Sequence, residues 1–134
     1  MGTDGTRDPA PPLRGRLRLA YRWIPEAAGR LLDAGCSSGY GTHHYARRAR
    51  EVWGVDPDGA SIAAARERFP GVRFEPARLE ALPFADGTFD VVVLTDVLEH
   101  VRDEVAALNE IHRVTRPGAT VILTAPHAGW FAWL

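Results

Sequence analysis

The chain has 134 residues, of which 46% are hydrophobic and 25% are charged, and these values predict one folded globular domain. The net charge of −1 gives no reason to expect a nucleic-acid partner, which usually requires a strongly basic face. One cysteine excludes an internal disulfide, the five histidines are not spaced as metal ligands, and no apolar run approaches the ~18 residues that cross a bilayer. We therefore expect a cytoplasmic protein without a metal site. All 16 basic residues are arginine, which indicates a GC-rich, bacterial coding sequence.

The first two predicted elements are a tail and a helix. Residues 1–12 contain glycine, proline and charge with little to bury, which predicts a disordered tail, and residues 13–134 are expected to form the domain. Over 13–24, apolar residues recur at spacings of three and four beside a stripe of arginines, which predicts an amphipathic helix. We expect this helix to pack over a ligand cleft as a lid or outer helix. The alternatives are a helix lying on an anionic membrane and an ordinary solvated face.

Strands and helices alternate through the rest of the chain. Strands are predicted over 30–35, 51–56, 72–77, 89–95 and 119–125. Helices are predicted over 37–50, opened by capping serines, over 58–69, and between the last two strands. The last helix is expected to place one apolar stripe on its buried side: Val97, Val101, Val105, Leu108, Ile111 and Val114. This alternation predicts βαβ units and a doubly wound, mainly parallel α/β sheet.

The most informative motif is the turn that runs from Asp33 through Gly35 and Ser37 to Gly39, joined to Asp56 at the end of the next strand. Glycines at a strand-to-helix turn let a ligand approach the backbone, and an acid about 20 residues later can accept hydrogen bonds from both ribose hydroxyls. A dinucleotide fingerprint would need glycines at 35, 37 and 40, and two of these are missing. Asp33 would also repel a pyrophosphate. S-adenosylmethionine fits better, because it carries an ammonium and a sulfonium and no phosphate.

The chain resembles class I S-adenosylmethionine-dependent methyltransferases of the small-molecule type in four successive segments: LLDAGCSSGYGT, GVD, ALPFADGTFDVVVLTDVLEHV and EIHRVTRPGATVILTAPH. The resemblance covers about residues 30–127. It implies a Rossmann-like, three-layer α/β/α fold with strand order 3-2-1-4-5, in which the family's C-terminal antiparallel pair is missing. It also implies transfer of a methyl group to a small-molecule acceptor, for example a secondary metabolite or a lipid.

The missing pair leaves an alternative open. The chain could be a non-catalytic module that binds the cofactor or associates through the exposed edge of its fifth strand. A homo-oligomer or a partner chain would then cover that edge.

The resemblance implies a role for each residue of the cofactor site. Gly35 and its neighbours approach the methionine part, Asp56 holds the ribose, Pro57 and Leu79 lie on the two sides of the adenine, and Thr95 lies beside the methyl group. The complete predicted set is Asp33, Gly35, Cys36, Ser37, Gly39, Asp56, Pro57, Arg78, Leu79 and Thr95.

Two positions in this set depart from the family's pattern. Ser37 stands where the family commonly has glycine, so the turn lies further from the ligand or the hydroxyl adds a hydrogen bond. Arg78 stands where many relatives have an aspartate that contacts the adenine amino group. Arginine cannot accept from that amine, so this contact is lost or passes to Glu80 or to the backbone.

The reaction needs positioning more than acid–base chemistry. A sulfonium leaves as a neutral thioether, so in-line alignment is the main requirement, although an oxygen or nitrogen acceptor can also need a base. The candidate catalytic residues are His127, His100 and Asp96. Each also has a purely structural interpretation: His127 as a loop histidine, His100 as a helix-packing residue and Asp96 as a helix cap. We expect Cys36 to be a small buried residue rather than a nucleophile.

Overall fold

The computed structural model describes residues 10–126. Its helices are α1 (Gly15–Trp23), α2 (Tyr40–Tyr45), α3 (Gly59–Arg68) and α4 (Glu104–Val114), and a short 3₁₀ turn spans Leu98–His100. Its strands are β1 (Ala28–Ala34), β2 (Ala49–Asp56), β3 (Arg73–Pro76), β4 (Phe89–Thr95) and β5 (Thr115–Thr124). No helix within residues 10–126 is long and apolar enough to span a bilayer.

The five strands form one parallel sheet in the order β3-β2-β1-β4-β5, which confirms the predicted Rossmann-like architecture. β1 lies at the centre, where Leu32 is in register with Trp53 of β2 and with Val92 of β4. The strand order reverses between β1 and β4. A ligand crevice is therefore expected at the carboxyl ends of these two strands.

Alternate residues of the central strands feed cores on opposite faces of the sheet. Val91 and Val93 pack with the face that α1 and α2 cover, and Val92 and Leu94 pack with the face that α4 covers. All four side chains are buried, as the continuous apolar run predicted for a strand covered on both sides.

The predicted helix over 37–50 was too long, because the structure limits α2 to six residues. Gly39 at φ 82° occupies the N-cap position, and no side chain caps the helix. Ser37 and Ser38 lie in the preceding turn, so the prediction that serines cap this helix was wrong. Residues 46–48 form turns, and β2 already begins at Ala49.

The predicted apolar stripe after β4 was also partly wrong. The segment divides into the 3₁₀ turn and α4, whose N-cap Asp103 accepts a hydrogen bond from Ala106 N at 3.0 Å. This break changes the helical phase, so Val105 is 69% exposed and Leu108 is 44% exposed. The buried side of α4 instead consists of Ala107, Ile111 and Val114.

The end of the predicted tail is ordered. Tyr40 Oη donates to the carbonyl of Pro12 at 2.7 Å, and His44 Nε2 lies 2.9 Å from the carbonyl of Pro11. Ala10 is buried in the cluster that contains Cys36. Residues 10–12 therefore pack against α2, contrary to the predicted disorder, and residues 1–9 lie outside the described part of the chain.

Candidate cofactor-binding site

The carboxyl ends of the strands surround a main cavity of about 510 Å³. This volume is typical of a small-molecule site, and the position is the one where open α/β sheets bind ligands. Nine of the residues predicted from the sequence line the main cavity: Gly35, Ser37, Asp56, Pro57, Arg78, Leu79, Thr95, Asp96 and His100.

A smaller cavity of about 320 Å³ adjoins the main cavity, because Gly35, Ser37 and Thr95 line both. Two more of the predicted residues, Asp33 and Cys36, line the smaller cavity. The two cavities together form one site with Asp33 at the end of β1 and Asp56 at the end of β2.

The glycines of the turn are required by the protein's own packing. Gly35 has φ 94°, and a Cβ at this position would lie 2.4 Å from Cγ2 of Val97. Gly39, which lines neither cavity, has φ 82°, and its Cβ would lie 2.6 Å from the ring of Phe74. The sequence predicts that glycine makes room here for a ligand. The structure shows that a larger side chain would first meet these two neighbours.

Ser37 adopts a left-handed backbone conformation, with φ 49°, which is uncommon for residues other than glycine. Its backbone N–H donates to Asp56 Oδ2 at 2.9 Å, which joins the turn to the end of β2. The turn therefore holds a residue other than glycine in a strained backbone conformation.

Replacing Ser37 with glycine should raise the free energy of unfolding by about 0.5–1 kcal/mol. The free energy gained by relieving the left-handed strain exceeds the cost that arises because glycine makes the unfolded chain more flexible. Urea titration measures the effect. Ala27→Gly, at φ 54° and outside both cavities, is the matched control and should show a similar gain. A loss of stability in Ser37→Gly would show that the serine side chain, and not only its backbone, supports the turn.

Asp56 combines a structural and a ligand-facing role. Oδ1 accepts from Asp58 N and Oδ2 accepts from Ser37 N, both at 2.9 Å. Each carboxylate oxygen can accept a second hydrogen bond, and the side chain lines the main cavity. The two backbone donors fix the carboxylate where a ligand's vicinal hydroxyls could reach it.

Asp33 is a buried carboxylate with one unpaired oxygen. The residue is 3% exposed, Thr42 Oγ1 donates to Oδ2 at 2.7 Å, and Oδ1 has no hydrogen-bond partner. Burial raises the pKa of Asp33 to about 7; the Thr42 hydrogen bond lowers it, and the negative charge of Asp56 raises it. A cationic ligand group at the unpaired oxygen would stabilise the ionised form.

Cys36 has the environment of an unreactive thiol. The side chain is buried, and its backbone N–H donates to Val55 O at 2.9 Å. Burial, together with the charges of Asp33 and Asp56, raises the pKa of the thiol well above its usual range. Both observations favour the predicted role as a small buried residue.

Asp96 is held at the end of β4 by two neighbours. Arg16 of α1 donates to its Oδ2 at 2.5 Å, and Thr124 of β5 donates to its Oδ1 at 3.3 Å. The residue has φ 55° and caps no helix, since Asp103 caps α4, so the capping alternative was wrong. α1 also contributes Leu17 to the wall of the smaller cavity, which agrees with a helix that packs over the cleft.

The other two catalytic candidates are placed differently. His100 lines the main cavity from the 3₁₀ turn, and its side chain is 80% exposed, with Nε2 3.8 Å from Glu99 Oε1. This exposure does not fit the helix-packing alternative. His127 lies outside the described residues.

The site also includes residues that the sequence did not single out. Val97, Val101 and Arg102 line the main cavity, and Thr42 binds Asp33 from α2. Glu80, the alternative acceptor for the adenine amine, also lines the main cavity. The two valines belonged to the predicted apolar stripe only, whereas Arg102 follows the 3₁₀ turn and Thr42 lies on α2.

Comparisons with known proteins identify the family. The methyltransferase-domain family matches residues 32–123. A probable S-adenosylmethionine-dependent methyltransferase of Mycolicibacterium smegmatis is 41% identical over 111 residues, which are 82% of this chain and 42% of that protein. A ubiquinone biosynthesis O-methyltransferase of Pseudomonas aeruginosa is 34% identical over 122 residues, which are 84% of this chain and 53% of that protein.

A solved structure has the same fold. The S-adenosylmethionine-dependent methyltransferase from Mesorhizobium loti has a TM-score of 0.66 at 29% identity, over 78% of this chain and 49% of its own. The chain thus spans about half or less of the length of these relatives. The family match, the shared fold and the glycine turn with its two acids show that this chain belongs to the S-adenosylmethionine-dependent methyltransferase family.

Proposed function

We propose that this chain binds S-adenosylmethionine in the two adjoining cavities and takes part in methyl transfer to a small-molecule acceptor. The observation that carries the proposal is the unpaired, buried Oδ1 of Asp33, which lies at one end of the site while Asp56 lies at the end of the next strand. A ligand with an ammonium group and a ribose matches these two acceptors. The residues present therefore fit this cofactor.

The remaining contacts follow from chemistry at each wall. Asp33 would hold the ammonium group and Asp56 the ribose hydroxyls, while the apolar surfaces of Pro57 and Leu79 would enclose the base. Arg78 can only donate, so it would meet a ring nitrogen of the base and not its amine. These contacts would fix the ligand along the ends of β1 and β2.

Bound S-adenosylmethionine supplies an activated methyl group whose carrier leaves as a neutral thioether. The protein's task is then to hold an acceptor in line and exclude water. Thr95 and Asp96 at the end of β4 would border the reacting region, and the exposed ring of His100 could take a proton from a hydroxyl or amine acceptor.

Asp56→Ala tests the binding half of the proposal. We expect the affinity for S-adenosylhomocysteine, measured by calorimetry, to fall by about 1–3 kcal/mol, because a charged hydrogen-bonding partner is lost. Asp86→Ala is the matched control, because Asp86 is exposed and lies outside both cavities. Failure of the folded parent to bind at millimolar ligand would overturn the proposal.

A second candidate function rests on the surface beside β5. Leu19 and Trp23 of α1 and Val121 and Leu123 of β5 are exposed apolar residues that line a groove of about 270 Å³. An open strand edge with apolar neighbours favours association. A stable oligomer by light scattering, with cofactor binding but no turnover, would support a non-catalytic binding module. A monomer that methylates an acceptor would eliminate this candidate.

A further inference from the structure

Two buried side-chain atoms in residues 10–126 lack a hydrogen-bond partner, Asp33 Oδ1 and the hydroxyl of Tyr45. Tyr45 is fully buried, and Asp33 is 3% exposed. Because native proteins satisfy nearly all buried polar groups, such atoms mark the place of an ordered water, an ion or a ligand. Asp33 Oδ1 belongs to the proposed cofactor site, whereas the Tyr45 hydroxyl has no role in the proposed contacts with the cofactor.

The two unpaired atoms approach the same region from neighbouring elements. Tyr45 lies one helical turn after Thr42 on α2, and Thr42 already binds the other oxygen of Asp33. A Cβ on Gly41 would lie 3.4 Å from the Tyr45 hydroxyl, and Gly41 lines the smaller cavity together with Asp33. The hydroxyl therefore lies close to Gly41, at a position in the cavity wall that has no side chain of its own.

Electrostatics connects the same groups. Burial and then the charge of Asp33 raise the pKa of the Tyr45 hydroxyl well above its usual range, and the side chain of Thr95 lowers it. Tyr45 consequently keeps its proton and can act as a donor. The other titratable groups that influence Asp33 or respond to it are Asp56 at the end of β2 and Cys36 in the turn.

We propose that Tyr45 is a positioning residue for the cofactor's ammonium group, with its hydroxyl donating through one buried water to Asp33 Oδ1. The water would have Tyr45, Asp33 and Thr95 as polar partners, which is the number that a buried water normally needs. Thr42 and Tyr45 would then hold the two carboxylate oxygens from the same face of α2 and direct the carboxylate at the ammonium. This inference rests on the proposed function.

Tyr45→Phe tests the inference by calorimetry with S-adenosylhomocysteine between pH 5 and 9. We expect the variant to bind about three- to tenfold more weakly, the effect of one hydrogen bond. The midpoint of the pH dependence should move to higher pH, because the Asp33 carboxylate loses a donor that favours its charged form. Tyr21→Phe is the matched control, since Tyr21 lies outside both cavities and should change neither value.

A double-variant cycle separates positioning from packing. In an Asp33→Asn background, Tyr45→Phe should cause no further loss of affinity, because the group that it positions is gone. Equal binding and an equal pH midpoint in Tyr45→Phe and the parent would overturn the inference while leaving the proposed function intact. A parent that binds no ligand would overturn both. If Tyr45→Phe does not fold, a liganded crystal structure of the parent decides by the presence or absence of a water bonded to both atoms.

Discussion

We expect the ionisation of buried Asp33 to lower the free energy of unfolding of the parent as the pH rises from about 4 to about 7. Replacing Asp33 with asparagine should remove this contribution. The pKa of Asp33 is raised to about 7 in the folded state from an ordinary value of 3.8. The stability contributed by the protonated carboxyl is therefore fully present below pH 3.8 and is lost as the pH rises through 7. The difference in free energy of unfolding, Asp33→Asn minus parent, should grow by up to about 4 kcal/mol across this window.

Urea unfolding at a series of pH values measures this difference. The asparagine can still accept from Thr42, so the comparison isolates the ionisation of Asp33. Side-chain hydrogen bonds from Trp53 and Arg113 lower the pKa values of Glu51 and Glu110. The contribution of these two carboxylates to the free energy of unfolding is lost as the pH falls. These carboxylates are common to both proteins and cancel in the difference. Parallel stability curves would contradict the assignment of a raised pKa to the buried Asp33.

The same variant should bind the cofactor poorly. A cationic ligand requires ionised Asp33, so the parent's affinity for S-adenosylhomocysteine should rise with pH up to about 7 and then level off. Asp33→Asn should bind about ten- to a hundredfold more weakly at pH 8, the effect of losing a hydrogen bond to a charged group. Its affinity should be nearly independent of pH in this window. Equal affinities at pH 8 would remove Asp33 from the site.

The sequence predicted the sheet well because burial on two faces leaves a clear signal. Residues 89–95 form β4 with the predicted bounds, since an uninterrupted apolar run has few alternatives to a central parallel strand. The bounds of α2 were wrong because Ser37 and Gly39 both have positive φ, which excludes a helix start before Gly39. A serine in this conformation has no distinctive pattern in a single sequence.

The residues alone, without the family resemblance, predicted the site best where it follows a strand directly. Asp56 and Gly35 belong to motifs whose position at a strand end is fixed by the chain itself. Arg16 pairs with Asp96 although 80 residues separate them, and Arg102 reaches the main cavity because a 3₁₀ turn redirects the chain after β4. Such contacts depend on tertiary packing, which periodicity does not encode.

Gly35→Ala should destabilise the protein by roughly 2–6 kcal/mol. About 1–3 kcal/mol comes from placing a side chain at φ 94°, and about 1–3 kcal/mol comes from the overlap with Val97 Cγ2 at 2.4 Å. This sum is a large fraction of the stability of an ordinary domain. Urea unfolding gives the loss, and calorimetry should show that cofactor binding falls with it, because Gly35 and Val97 both line the main cavity.

Two further variants separate the two causes. Gly87→Ala also places a side chain at positive φ, 64°, but its Cβ would meet nothing within 4 Å, so it should show the backbone effect alone. Val97→Ala in the Gly35→Ala background removes the overlapping methyl groups and should recover about 1–3 kcal/mol relative to the sum of the single changes. Equal losses in Gly35→Ala and Gly87→Ala would mean that Val97 does not pack on the turn. The wall that joins β1 to the segment after β4 would then lack the contact that fixes the shape of the main cavity.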